Sequence, residues 1–234
     1  MKLFELFKYK NYFLFENTNN KKILVVYGGR FQPPTPGHYE VYRWLINHFG
    51  ENNVFITTSN KVDKLPVKKQ ISKKELKSFF NFEEKRYLWN KLFGVNKNKI
   101  ILSRNPVFNP EEILSKFDPE NTIFVTVTSK KDEERFTNLT IKSENISVEP
   151  YPMINNKPIK FEKIKDKLKG YNEKIYYIIL PEFKGISATK VRNIFQNDNL
   201  SDSEKKKILN NIYEGKMNDD VFDFINKKLN MNFN

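Results

Sequence analysis

Gly28-Gly29-Arg30-Phe31-Gln32-Pro33-Pro34-Thr35-Pro36-Gly37-His38 is the stretch that most restricts what this chain can become. Before it runs Ile23 to Tyr27, short, continuous and apolar, as a central parallel strand should be. After it, Val41, Trp44, Leu45 and His48 recur at i, i+3, i+4 and i+7, one face of a helix. The stretch therefore reads as strand, loop and helix start. A backbone that turns on glycines, is stiffened by prolines and ends on a helix N-terminus offers N–H groups and a positive dipole end to an anion. His38 falls in the first turn of that helix, beside the loop, whereas His48 falls beside the core stripe and reads as a packed or edge histidine.

The same alternation continues through the chain. Asn53 to Thr58 reads as a second strand, Phe82 to Phe93 as a helix with Gly94 past its end, Lys99 to Ser103 as a third strand. Pro110, Glu111 and Glu112 open a short helix, and Thr122 to Thr128 is a strongly β-prone fourth strand. Lys174 to Leu180 is the fifth, and it leads through Pro181 and Gly185 into Ile186-Ser187-Ala188-Thr189-Lys190-Val191-Arg192, a second loop meeting a second helix start. Ser187 suits the N-cap, and Val191, Ile194 and Phe195 form the apolar face. The expected fold class is α/β: a Rossmann-like, doubly wound, five-stranded parallel sheet with helices on both faces. Both motif loops then follow strands, at the carboxyl edge where such sheets bind ligands.

Around that domain, expected over 22–200, lie three additions. Residues 1–21 form an appended N-terminal segment rich in Leu and Phe, with enough aromatic side chains to pack on the domain or dock a partner. An insertion, with a hairpin in it, is expected at about 130–172, and two amphipathic basic helices over 201–234. The length of 234 residues is ample for one domain with such appendages.

Composition narrows the chemistry mainly by exclusion. With no cysteine and two histidines, thiolate metal sites and disulfides are out and no metal ligand is assigned. No run has the length of a membrane span, and residues 1–15 lack a secretory h-region. The net charge of +13 would draw nucleic acid or acidic substrates. Its lysines accompany many asparagines and a single alanine, Ala188, the skew of an AT-rich genome, and arginines for bidentate phosphate contacts are few. Lysine clusters such as Lys68, Lys69, Lys73 and Lys74 accordingly read as solvated faces. The Walker and Gly-x-Gly-x-x-Gly signatures are both missing, which argues against a P-loop enzyme or a dinucleotide dehydrogenase.

Gly29 to His38 resembles the Gly-x-Phe-x-Pro-x-His/Thr-x-Gly-His pattern of the nucleotidylyltransferase superfamily, and Ile186 to Arg192 resembles its Ile-Ser-x-Thr-x-x-Arg signature. The wording is most similar to archaeal-type nicotinamide mononucleotide adenylyltransferases and related tailed-phage proteins; Asn81 to Arg86 is also similar to the Phe-x-x-x-Glu-Arg helix start of those enzymes. The resemblance implies transfer of a nucleoside monophosphate, AMP from ATP before CMP from CTP, to a phosphorylated small-molecule acceptor, with release of pyrophosphate and with Mg²⁺ on the triphosphate. On the matching positions it makes His38, Thr35 and Arg192 catalytic, with Thr35 standing where many members have histidine. It assigns Gly28, Gly29, Arg30, Phe31, Gln32, Gly37, Ser187 and Thr189 to the nucleotide and Arg86 to the acceptor. The alternative is a catalytically weak or inactive nucleotide-binding structural protein of a phage or viral assembly. Cytoplasm, or host cytoplasm or virion, is the expected location, with a homo-oligomer or a phage particle as the assembly and neither membrane nor nucleic acid as partner.

Overall fold

Strand and helix alternate along the chain in the computed structural model, which describes residues 21–62, 78–107, 110–134, 146–183 and 185–230. In chain order the elements are β1 (Lys22–Gly28), α1 (Pro36–Phe49), β2 (Val54–Thr58), α2 (Phe82–Phe93), β3 (Ile100–Leu102), α3 (Glu111–Leu114), β4 (Thr122–Thr128), β5 (Ser147–Pro150), β6 (Met153–Ile154), β7 (Lys157–Pro158), α4 (Phe161–Ile164), β8 (Lys174–Ile179), α5 (Ala188–Phe195), α6 (Asp202–Ile212) and α7 (Asp219–Asn230). Residues 1–20 of the N-terminal segment and the Lys68 to Lys74 cluster lie outside the described residues. No helix among the described residues is long and apolar enough to cross a membrane.

Six strands join in the order β3-β2-β1-β4-β8-β5, and β1 pairs with β2 and β4, and β8 with β4 and β5, all in parallel. This is a Rossmann-like α/β sheet whose strand order reverses at β1, with β2 on one side and β4 on the other. β4 is buried along all seven residues, which explains its uninterrupted run of Ile, Val, Phe and Thr.

The sixth strand corrects the expectation of five. β5 is four residues long, mostly exposed, and ends on Pro150. A sheet edge needs neither a continuous apolar run nor every N–H, so such a strand carries little sequence signal. What holds it is β8: Glu149 lies opposite Tyr176, and its carboxylate accepts from Lys174 Nζ at 2.6 Å. A hairpin does occur in this stretch, β6 with β7, turning on Asn155 and Asn156 at φ of 50° and 60°. Two successive left-handed residues make the turn type that matches strand twist, and asparagine tolerates it.

The chain divides into two compact units. The first comprises the described parts of Met1–Gly29, Tyr42–Thr57 and Ile101–Glu182, and its core joins Leu24, Val26 and Phe124 of the sheet to Ile113 and Leu114 of α3. The second comprises the described parts of Arg30–Val41, Thr58–Ile100 and Phe183–Asn234. Here α2 presents Leu88, Trp89 and Leu92, α5 presents Val191 and Phe195, and α6 and α7 present Leu209, Val221, Phe222 and Ile225, all buried. The helix α2 begins in a reciprocal capping box between Asn81 and Glu84 and ends on Gly94 at φ 68°, a left-handed cap that glycine adopts without strain.

Candidate functional site

Both glycines that open the first motif belong to the first unit, and both are committed there. A Cβ on Gly28 would meet the carbonyl oxygen of Pro106 at 2.0 Å, and the Gly29 N–H donates to the Thr57 carbonyl at 3.0 Å. Thr57 Oγ1 also donates to the Pro106 carbonyl at 2.6 Å, and Thr126 Oγ1 to that of Val107 at 2.8 Å. The absent side chain of Gly28 thus admits the Pro106–Val107 backbone against the strand ends.

From Arg30 the loop lies in the second unit, where it is fixed by side chains. Gln32 is buried, and its amide bonds only to backbone: Oε1 accepts from Phe79 N at 2.8 Å and Phe80 N at 2.7 Å, and Nε2 donates to the Phe80 carbonyl at 2.9 Å. Both acceptor positions and one of the two N–H donors of that amide are used, so its side chain anchors the loop. Phe31 holds a positive φ of 47°, uncommon for a bulky residue, while its ring sits edge-on to His38 at 5.1 Å and to Trp89 at 5.2 Å. Packing on two sides keeps it there.

The loop ends by delivering His38. Thr35 precedes the first helical residue, Pro36, and its carbonyl accepts from Tyr39 N at 3.1 Å. Its own N–H donates to His38 Nδ1 at 3.0 Å, and its Oγ1 lies 3.0 Å from the same nitrogen. A nitrogen that accepts a backbone N–H carries no proton, so the imidazole is the neutral Nε2–H tautomer. Burial also lowers the His38 pKa to about 4, and the ring is neutral at pH 7. His38 is therefore a neutral donor through Nε2. Thr35, at 1% exposure, stands behind the imidazole and orients it.

The second motif lies in the same unit, against the first. A Cβ on Gly185 would sit 2.7 Å from the Gly37 Cα and 3.1 Å from its nitrogen, so the two loops touch backbone to backbone. Each loop opens a helix: Pro36 and Gly37 begin α1, and Ser187 caps α5, its Oγ accepting from Lys190 N at 3.3 Å. Arg192, one turn into α5, donates through Nη1 to the Gln32 carbonyl at 2.6 Å and through Nη2 to Thr189 Oγ1 at 3.1 Å, with its guanidinium 5.7 Å from the centre of the Phe79 ring. Burial first, then the neighbouring Arg30 charge, lowers the Arg192 pKa. Among the described residues no carboxylate pairs with Arg30 or Arg192, so two cations stand together without a counter-ion beside a helix N-terminus. Ser187 and Thr189 are exposed at that terminus.

Arg86 stands apart in its bonding: it pairs with Glu83 at 2.7 Å on α2 and lies 5.5 Å over the Phe82 ring. The residue before it carries a feature that sequence reasoning missed. Lys85 is fully buried, donates to Thr58 Oγ1 at 3.1 Å and to the Ser59 carbonyl, and burial lowers its pKa to about 8. It ties the end of β2 to α2; in a lysine-rich chain nothing local separates it from its solvated neighbours. His48 bonds through Nδ1 to the Trp44 carbonyl at 2.7 Å, within the first unit. No group of three His, Asp or Glu that could hold a metal occurs among the described residues.

A Rossmann-like sheet followed by loop-to-helix turns that gather arginines, hydroxyls and a neutral histidine defines a nucleotide-binding α/β protein. More narrowly, the chain belongs to the Cytidylyltransferase-like family, whose model matches residues 26–194. No curated protein matches it in sequence. Among solved structures it is similar to the nicotinic acid mononucleotide adenylyltransferase of Plasmodium falciparum complexed with NaAD, at 18% identity over 82% of this chain and 98% of that one, with a TM-score of 0.42. The same enzyme complexed with APC gives the same identity and coverage with a TM-score of 0.44. A bifunctional NMN adenylyltransferase/ADP ribose pyrophosphatase from Francisella tularensis, complexed with AMP and a Mn ion, matches at 16% identity over 88% of this chain and 52% of that one, with a TM-score of 0.32.

Proposed function

We propose that this chain transfers the AMP moiety of ATP to a phosphorylated small-molecule acceptor, releasing pyrophosphate. The observation that carries the reading is the contact of Gly37 with Gly185, which joins the His38 loop to the Arg192 helix within one unit. Two positive helix ends, and two arginines that pair with no carboxylate among the described residues, suit a polyphosphate, and family membership supplies the reaction class.

In this reading an acceptor phosphate oxygen attacks the α-phosphorus in line, and the bond from that phosphorus to the β-phosphate bridging oxygen breaks. Such transfer asks the protein for positioning and charge stabilisation rather than covalent chemistry. His38 donates its Nε2 proton in a hydrogen bond to a non-bridging α-phosphate oxygen. Being neutral, it gives this bond without drawing on a titration near pH 7. The N-terminus of α5, Ser187 and Thr189 hold the β- and γ-phosphates, and Arg192, with Arg30 beside it, takes up the charge that collects on the departing pyrophosphate. The triphosphate enters as its Mg²⁺ complex, the phosphates themselves serving as the metal's ligands. Arg86 is the proposed acceptor contact, which requires that it leave Glu83.

The test is a pyrophosphate-release screen of ATP, CTP, GTP and UTP against phosphorylated acceptors, with His38→Ala as control. ATP-dependent turnover that falls by ~100-fold or more in the variant is expected, the scale of one transition-state donor. Absence of turnover across the panel, or an unaffected variant, refutes the reading.

A further inference from the structure

The loop that seats His38 has an unusual handicap: Pro33, Pro34 and Pro36 have no N–H, so it has few backbone donors with which to brace itself. One brace comes from the far end of the chain. Tyr213, just past α6, is buried, and its hydroxyl donates to the Pro34 carbonyl at 2.8 Å. A phenol hydroxyl is costly to bury without a partner, and here the partner is the carbonyl immediately before Thr35.

The Tyr213 ring reaches the same place by a second route. It stacks with Phe93 at 6.1 Å and 25°, and Phe93 stacks with Tyr39 at 4.7 Å and 13°. Tyr39 follows His38, and its N–H is the one bonded to the Thr35 carbonyl. Beyond Tyr213, Glu214 and Gly215 take positive φ of 52° and 81°, closed by the Gly215 N–H on the Asn210 carbonyl at 2.9 Å. This turn brings the Lys216 ammonium over the rings of Tyr39, at 5.1 Å, and Phe93, at 5.8 Å.

We propose that Tyr213 is a positioning residue of the transfer site: by fixing the Pro34 carbonyl and the Tyr39 stack it holds Thr35, and through Thr35 it holds the His38 imidazole in its Nε2–H form and orientation. The C-terminal helices are thereby a working part of the site rather than an appendage. This rests on the transfer reading above for its kinetic consequence, though not for its structural one.

The experiment uses the full chain. Tyr213→Phe keeps the ring and removes only the hydroxyl. Its kcat is expected to fall ~10-fold or more, as for a small displacement of a reacting group, with KM for the triphosphate within about threefold of wild type. In the same variant the ¹⁵N spectrum of His38 at pH 7 passes from one Nε2–H tautomer to a mixture. An unchanged His38 spectrum overturns the proposal, whatever happens to kcat. If the variant does not fold, Lys216→Met, at an exposed position, carries the test: a kcat loss of about threefold, the scale of an exposed cation–π contact, with a perturbed His38 spectrum supports the proposal, and neither change overturns it. Because the spectrum is read without substrate, a wild-type chain that shows no turnover refutes the transfer reading and leaves the positioning of His38 still decided by the spectrum.

Discussion

Replacing Gly185 by alanine adds one methyl group, and the structure sets what it must displace. The new Cβ would fall 2.7 Å from the Gly37 Cα and 3.1 Å from its nitrogen, against 3.4–4 Å for an ordinary contact. Both neighbours are backbone, so no rotamer change relieves the overlap, and the two loops must separate by roughly 1 Å. Gly185 is exposed, which lets its loop swing outward, and the expected loss of stability is therefore modest, about 1–2 kcal/mol for an overpacked contact. The functional loss is larger. A shift of roughly 1 Å between Ser187 with Arg192 on one side and His38 on the other is expected to lower kcat/KM by ~100-fold, equivalent to about 2.7 kcal/mol of transition-state stabilisation. The assay is steady-state pyrophosphate release well below the melting temperature, with thermal unfolding recorded alongside. Gly94→Ala is the control: its φ of 68° imposes backbone strain, but nothing lies within 4 Å of the added methyl, so stability falls while activity holds. Activity of Gly185→Ala within threefold of wild type would refute the idea that this backbone contact sets the site.

Two further outcomes follow from the loop itself. Gln32→Ala removes three buried side-chain bonds to Phe79 and Phe80 and leaves two N–H groups and a carbonyl unsatisfied; at ~1–3 kcal/mol for each stranded group, a loss of at least about 3 kcal/mol is expected from denaturant unfolding, and less than 1 kcal/mol would remove Gln32 as the loop's anchor. For His38, burial lowers the pKa from 6.5 to about 4, so the unfolded chain takes up its proton first as pH falls. Its contribution to stability is complete above 6.5, declines as pH drops from 6.5 towards 4, and changes no further below that. In kcat/KM the same group gives no break near 6.5 and a loss only on approach to 4; NMR titration of the imidazole near 6.5 would contradict both statements.

Local sequence determined a good part of this. The run Thr122 to Thr128 is a strand because its residues are β-prone and apolar enough for burial on both faces. Phe82 to Phe93 is a helix bounded by Asn81 with Glu84 and by Gly94, signals that act within a few residues. The same holds for Ser187 before α5. The motifs likewise named the family from residues in two short stretches, and the matched span agrees with it.

What the sequence could not display is anything set by residues far apart. β5 is a strand only because β8 lies beside it; alone it is a polar tetrapeptide ending in proline. Lys85 is one lysine among many until Thr58 and Ser59 meet its ammonium. The approach of Gly37 to Gly185, the arginine bridge from Thr189 to the Gln32 carbonyl, and the hydroxyl of Tyr213 on Pro34 each join segments distant along the chain. Sequence alone thus determined most of the elements, the two loop motifs and the family, because propensity, capping and motif spacing are local. Tertiary structure alone decided which groups meet, that His38 is neutral with its proton on Nε2, and that Thr35 bonds to that ring and Gln32 to the Phe79–Phe80 backbone, because burial and hydrogen-bond partners are properties of packing.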